Sequence, residues 1–108
     1  MRVINESNLN RILGGHYTLV NFHSDQCIPC RVMKRNLMEV EKKIKTNKFI
    51  IGSVNIDEQS KLDEMFQIDA IPTLVLFKDG VEIGRSEGRK NFEQIKEFIT
   101  ECLNMDKL

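Results

Sequence analysis

Two cysteines three positions apart, in Asp25-Gln26-Cys27-Ile28-Pro29-Cys30-Arg31, stand where one hydrophobic rhythm gives way to another. This junction constrains the chain more than any other stretch. Before it, Leu19 to Phe22 reads as a buried strand. After it, Met33, Leu37, Val40 and Ile44 recur at the spacing of one helix face. The pair therefore opens a helix. Residues i and i+3 share a side of the first turn, so the two thiols can close a small disulfide ring without unwinding the helix behind them. Pro29 suits that turn, where a missing N–H costs no intrahelical bond and a fixed φ matches the helix start. Cys27 lies at the positive end of the helix dipole, where backbone N–H groups favour thiolate over thiol, and is read as the nucleophile.

A CxxC can also be half of a zinc or iron–sulfur site. Structural zinc needs four ligands, and the other candidates, Cys102, His16 and His23, form no second paired cluster. A purely structural disulfide is a poor alternative, because so short a ring gains little loop-closure stabilisation. Thiol–disulfide exchange accounts for every residue of the motif, and no metal or bound cofactor is expected.

The chain of 108 residues is read as one domain spanning 1–108, long enough for a single core. Three cysteines, with two placed to pair, suit a reducing compartment better than a secreted disulfide framework. The start, Met1-Arg2-Val3-Ile4-Asn5-Glu6-Ser7-Asn8, lacks the apolar run of a signal peptide, and no stretch approaches the length a bilayer requires. A cytoplasmic protein with no membrane partner is expected. Sixteen basic and sixteen acidic residues cancel, leaving no global field for nucleic acid. Locally the charge is uneven: Arg31 to Lys48 holds seven basic residues against Glu39 and Glu41, whereas Asp57 to Asp69 holds five acids against Lys61. This reads first as solvated helix surface, the alternative being that Arg31, Lys34 and Arg35 steer an acidic partner toward the thiols.

In order, Arg2 to Ile4 is a short strand, followed by a helix capped by Asn5 or Ser7 that carries Leu9, Ile12 and Leu13 and ends at Gly14-Gly15. Tyr17 to His23 is a strand apolar enough in its middle to be buried on both faces, with Asn21 interrupting the run. A helix from about Ile28 to Lys45 covers the sheet, with Met33 and Met38 read as packing. Phe49 to Ile56 forms a third strand with Gly52 inside it, and Asp57 caps a short helix bearing Leu62, Met65 and Phe66. This alternation implies parallel strands joined by right-handed crossovers. After Ile71-Pro72-Thr73, Leu74 to Phe77 and Val81 to Arg85 read as a hairpin about Lys78-Asp79-Gly80, which makes the sheet mixed. Asn91 caps a last helix with Phe92, Ile95, Phe98, Ile99, Cys102 and Leu103 on one stripe, so Cys102 is read as a buried, inert thiol.

Phe22, Cys27-Ile28-Pro29-Cys30-Arg31, Asn55-Ile56-Asp57, Ile71-Pro72-Thr73, Phe77-Lys78-Asp79-Gly80 and Gly88 together resemble the thioredoxin family along nearly the whole chain. The resemblance implies an α/β protein with the thioredoxin fold, a central mixed β-sheet flanked by four α-helices. It implies that Cys27 attacks and Cys30 resolves, that Pro72 is cis beside the disulfide, and that Ile71 offers backbone hydrogen bonds to the substrate chain. Gln26, Ile28 and Pro29 flank the thiols on the substrate-facing side. It further implies a monomeric disulfide reductant acting on disulfide-containing proteins, with electrons from NADPH through a separate flavoenzyme of the thioredoxin reductase type. A glutathione-linked, glutaredoxin-like reductase and a non-catalytic binding module are the alternatives.

Five positions depart from the family pattern. Gln26-Cys27-Ile28-Pro29-Cys30 replaces the usual Trp-Cys-Gly-Pro-Cys, losing an aromatic contact surface and adding a branched side chain between the thiols. Asn21 stands at the family's buried acid and Ser53 at its partner lysine. His23 stands where a second aromatic usually lies; it reads first as a satisfied or partly exposed histidine with no role, the alternative being one that titrates beside the disulfide. A neutral amide cannot take up and release a proton near neutral pH, so water or another base has to deprotonate Cys30.

Overall fold

The structure, a computed structural model, describes residues 1–106. Along the chain it forms β1 (Arg2–Val3), α1 (Leu9–Leu13), β2 (Tyr17–His23), α2 (Ile28–Lys42), β3 (Phe49–Asn55), α3 (Ser60–Met65), β4 (Thr73–Lys78), β5 (Val81–Glu87) and α4 (Phe92–Asp106). The strands make one sheet in the order β1-β3-β2-β4-β5. β1, β3 and β2 run parallel, whereas β2–β4 and β4–β5 pair antiparallel. The expected mixed sheet with four helices is what forms.

β2 is the central strand, and its alternation divides the core in two. Val20 and Phe22 pack with Ile12 and Leu13 of α1, Leu62 of α3 and Val75 and Phe77 of β4. Thr18 has the same parity, and its hydroxyl donates to the Ile12 carbonyl at 3.2 Å. Leu19, of opposite parity, packs with Met33, Leu37 and Val40 of α2 and with Ile95 and Cys102 of α4. Asn21 and His23 share the parity of Leu19, so the sheet presents them to the face that α2 covers. Gly52 of β3 stands opposite both Val20 and Arg2. A Cβ there would lie 2.6 Å from Ile4 Cδ1, which explains the glycine inside that strand.

Several boundaries differ from the sequence reading. The regular helix of α1 starts at Leu9, one turn after the expected cap: Asn5 Oδ1 accepts the Asn8 N–H at 3.0 Å, Asn8 Oδ1 accepts the Asn5 N–H at 2.8 Å, and the Leu9 N–H donates to the Asn5 carbonyl at 3.0 Å. α3 starts at Ser60 rather than after Asp57, whose backbone N–H donates to Asn55 Oδ1 and whose carboxylate accepts from Ser24. α2 ends at Lys42, three residues short, while Ile44 still packs on the core. Met38 and Met65 are exposed rather than packed, lying outside the apolar stripes of their helices. β5 runs to Glu87, two residues beyond the expected end. The cap at Asn91 holds: its Oδ1 accepts from the Gln94 N–H at 2.8 Å while Gln94 Oε1 accepts from the Asn91 N–H at 2.9 Å, a reciprocal capping box.

The β4–β5 ladder shifts register between Leu76 and Phe77, with Leu76 opposite Gly84 and Phe77 opposite Glu82. Ile83 is thus the extra residue of a bulge. Gly84, beside it, lets α4 come close, since a Cβ at this position would collide with Cys102 Sγ. Cys102 is buried, and burial pushes its thiol above the ordinary range, in keeping with an inert packing residue. Gly84→Ala is expected to cost about 1–3 kcal/mol by overpacking. Combining it with Cys102→Ala removes the colliding sulfur, so the double variant should be more stable than the sum of the two single changes predicts. Urea unfolding of the four proteins measures this, and strict additivity would place the strain elsewhere.

Candidate active site

The turn from β2 into α2 positions the two thiols. Cys27 is the residue capping α2, with extended backbone at φ −92° and ψ 110°, and its sulfur accepts the Cys30 N–H at 3.2 Å. The pair forms a disulfide with Cα atoms 5.2 Å apart. Pro29 sits in the first helical turn, where its missing N–H breaks no helix bond. The connecting loop is held from three sides. Ser24 Oγ accepts the Gln26 N–H at 3.3 Å and donates to Asp57 Oδ2 at 2.9 Å, while Arg31 Nη2 donates to the Asp25 carbonyl at 3.2 Å.

The two sulfurs are not equivalent. Cys30 is 3% exposed beneath the helix start, whereas Cys27 is half-buried at the rim. Around that rim Gln26 and Pro29 are exposed, and Ile28 stands out at 70% exposure, an unusual position for a branched apolar side chain. The Ile71–Pro72 peptide is cis, as the resemblance implies. Phe22 of β2 pairs with Thr73 of β4, so Ile71 and Pro72 fall at the same end of the sheet as the disulfide. Pro72 is buried and its carbonyl accepts the Gly88 N–H at 2.8 Å, while Ile71 remains half-buried. Gly88, at φ +96°, makes this approach from the end of β5 with a conformation that side chains disfavour.

Behind Cys30 lies a cavity of about 500 Å³. Asn21, His23 and Ser53 line it, with Cys30, Arg31 and Lys34 from α2. Asn21 and Ser53 are direct neighbours in the β2–β3 register, the placement the resemblance implies for the acid and lysine they replace. Asn21 is 1% exposed, and its Oδ1 takes a hydrogen bond from no described residue. His23 is half-buried; burial holds its imidazole below the ordinary 6.5, Lys34 pushes the same way, and Asp25, Asp57 and Glu58 pull it back up. The sequence reading missed Met1, Val3, Asn55 and Glu58 as further lining residues. Asn55, two positions after Ser53, could have been found from strand alternation; the others depend on how β1 and the turn after β3 close over the site. Among the described residues no group of three or more His, Cys, Asp or Glu side chains is placed to hold a metal ion. No described helix is long and apolar enough to cross a membrane.

A disulfide at a helix start, one sulfur reachable and the other buried, beside a cis-proline at the end of a mixed sheet, defines a thiol–disulfide oxidoreductase. The family model for thioredoxin matches residues 1–101. The chain is 36% identical over 104 residues to the thioredoxin of Chlamydia pneumoniae, covering 96% of each. It is 33% identical over 88 residues to that of Buchnera aphidicola, covering 82% of this chain and 81% of the other. Among solved structures, Fasciola hepatica thioredoxin superposes with a TM-score of 0.83 at 28% identity, covering 94% of this chain and 98% of that one. The chain belongs to the thioredoxin family. It has the thioredoxin fold and acts as a protein-disulfide reductase, with disulfide-containing substrates and a reductase partner in general.

Proposed function

We propose that the protein is a single-domain (1–108), monomeric, cytoplasmic reductant in which Cys27 attacks the substrate disulfide and Cys30 resolves the mixed disulfide. The observation that carries the assignment is the asymmetry of the pair: Cys27 sulfur lies at the helix start, half-exposed, accepting a backbone N–H, while Cys30 is buried. A thiolate at Cys27 is stabilised by that N–H and by the helix dipole; one at Cys30 has neither advantage and is desolvated. Electrons come from NADPH through a separate flavoenzyme of the thioredoxin reductase type, and no cofactor is bound. Ile71 and Pro72 receive the substrate backbone, and Gln26, Ile28 and Pro29 form the contact surface around the reacting sulfur. With Gln26 where the family has an aromatic, the exposed Ile28 supplies an aliphatic contact instead, which favours apolar segments next to the target cysteine. Nucleic acid and membranes are not partners.

Iodoacetamide labelling of the reduced protein followed by peptide mapping should find Cys27 modified first. Preferential labelling of Cys30 or Cys102 would sink the assignment of roles. Insulin reduction should proceed with dithiothreitol and with NADPH plus a thioredoxin reductase. Turnover with glutathione but not with the reductase would instead make the protein glutaredoxin-like.

A further inference from the structure

Resolution requires Cys30 to lose a proton, yet the strand position behind it holds Asn21, which offers no titratable group. Asn21 and His23 leave β2 two residues apart on the same face, and both line the cavity into which Cys30 also looks. Asn21 lines that cavity, and its Oδ1 is a buried acceptor without a partner among the described residues. Such an acceptor in a polar cavity is ordinarily satisfied by water. A water that donates one hydrogen to Asn21 Oδ1 keeps its second hydrogen and its lone pairs for other groups.

We infer that His23 is the proton acceptor for Cys30, acting through water held in this cavity by Asn21 Oδ1. The inference rests on Cys27 being the attacking thiol. In the step, the Cys30 S–H passes its proton to the water as the water passes one to the unprotonated nitrogen of His23. The Cys30 sulfur forms a bond to Cys27 sulfur, the bond between Cys27 and the substrate sulfur breaks, and the substrate leaves as a thiolate that takes its own proton from solvent. The Cys30 lone pair makes the new bond and the pair of the broken Cys27–substrate bond leaves on the substrate thiolate, so no outside oxidant or reductant enters. Imidazole suits the task because its range lies nearest neutral pH, and burial keeps it unprotonated and able to accept. The charged groups that face it are Lys34 from α2, Asp25 from the loop, and Asp57 and Glu58 from the turn after β3. Asp25 and Glu58 also line the cavity, and are the rival bases.

Stopped-flow reaction of the reduced protein with excess dithio-bis-nitrobenzoate separates the steps. The first, concentration-dependent release of coloured thiolate reports attack by Cys27. The second, concentration-independent release reports resolution by Cys30, and the aromatic leaving group needs no proton. The second rate should rise through the imidazole range and level off. In His23→Gln that inflection should vanish, leaving a rate that climbs with hydroxide and is about a hundred-fold lower near neutral pH. His23→Gln with Asn21→Asp should regain most of the loss with a different midpoint, a rescue that a purely structural role would not give. An inflection that survives His23→Gln, or that is abolished by Glu58→Gln or Asp25→Asn instead, overturns the inference. A second rate that falls as pH rises through the imidazole range also overturns it, because that is the signature of His23 acting as a positive charge. The first phase keeps the premise separate: its failure in the unaltered protein removes Cys27 as nucleophile, whereas its persistence in His23→Gln certifies a folded site. Should His23→Gln lose the first phase as well, the unaltered protein decides through its second phase in deuterated solvent, where a normal isotope effect supports the relay and its absence overturns it.

Discussion

Replacing Cys30 with serine is expected to turn the protein from a reductant into a trap. Cys27 keeps its cap position, and the backbone N–H of residue 30 still reaches its sulfur, so attack on a substrate disulfide proceeds as before. Serine cannot attack the resulting mixed disulfide, whose lifetime then becomes that of uncatalysed exchange, on the order of minutes to hours. The complementary change, Cys27→Ser, should bring insulin reduction down to the rate of dithiothreitol alone, because the remaining thiol at residue 30 is 3% exposed and cannot meet a protein disulfide. Non-reducing gels of lysate captured on each variant read the difference directly. Adducts on Cys27→Ser with none on Cys30→Ser would reverse the two roles. The size of the effect follows from burial more than from pKa, since a sulfur that cannot be approached has no use for a lowered pKa.

The second large effect is expected from Asn21→Asp. Residue 21 is 1% exposed on the central strand, and a carboxyl there loses most of its hydration on ionising. Arg31 and Lys34 line the same cavity and oppose this, but both are exposed, so their attraction acts across a solvent-screened path. Desolvation therefore wins, and the folded-state pKa of the introduced aspartate is raised above its unfolded value of about 3.9. With the folded pKa raised, the folded state binds more protons than the unfolded state between the two values, so stability falls as pH rises through that window. A shift of about two to three units corresponds to about 3–4 kcal/mol at neutral pH and above. The protein with Asn21 has no such group at this position, so its urea midpoints should lie above those of the variant at neutral pH and converge with them in acid. Superimposable profiles would mean that the site is more hydrated than its burial implies.

The parts of the fold that could be read from the sequence are those whose signals are local. Tyr17–His23 was legible to the residue because an apolar run is bounded by Gly14-Gly15 on one side and the polar Ser24-Asp25 on the other. The β4–β5 hairpin was legible from Lys78-Asp79-Gly80, where Asp79 and Gly80 adopt φ of 49° and 84°, the positive values that tight hairpin turns need. The helix start after Asp57 was not, because the Asp57 carboxylate accepts from Ser24 and its N–H donates to Asn55, which leaves it unavailable as a cap; Asn5 does accept the Asn8 N–H as expected of a cap, but the regular helix begins only at Leu9. The disulfide and its helix followed from spacing, and the cis-proline from resemblance. The cavity behind Cys30 left no local signal, and only the resemblance pointed to Asn21, His23 and Ser53 there. It exists because β3 registers with β2 so that Ser53, a small side chain, stands beside Asn21, and registration between strands thirty residues apart leaves no local trace.

β2 sits at the centre of the sheet, yet both of its neighbours come later in the chain: β3 at Phe49–Asn55 and β4 at Thr73–Lys78. During synthesis Cys27 and Cys30 are therefore made well before the strands that anchor the base of their helix. A nascent chain ending before Thr73 has one edge of β2 unpaired, with Leu19 and Phe22 lacking the partners that bury them. Non-local pairing of this kind is the slow part of assembly. Until β4 arrives, the reactive couple of this protein follows a strand with one edge unpaired, and its thiols are open to pairing with a neighbouring chain; Cys102 is made only after β4 and β5, when the partner strands of β2 are already present.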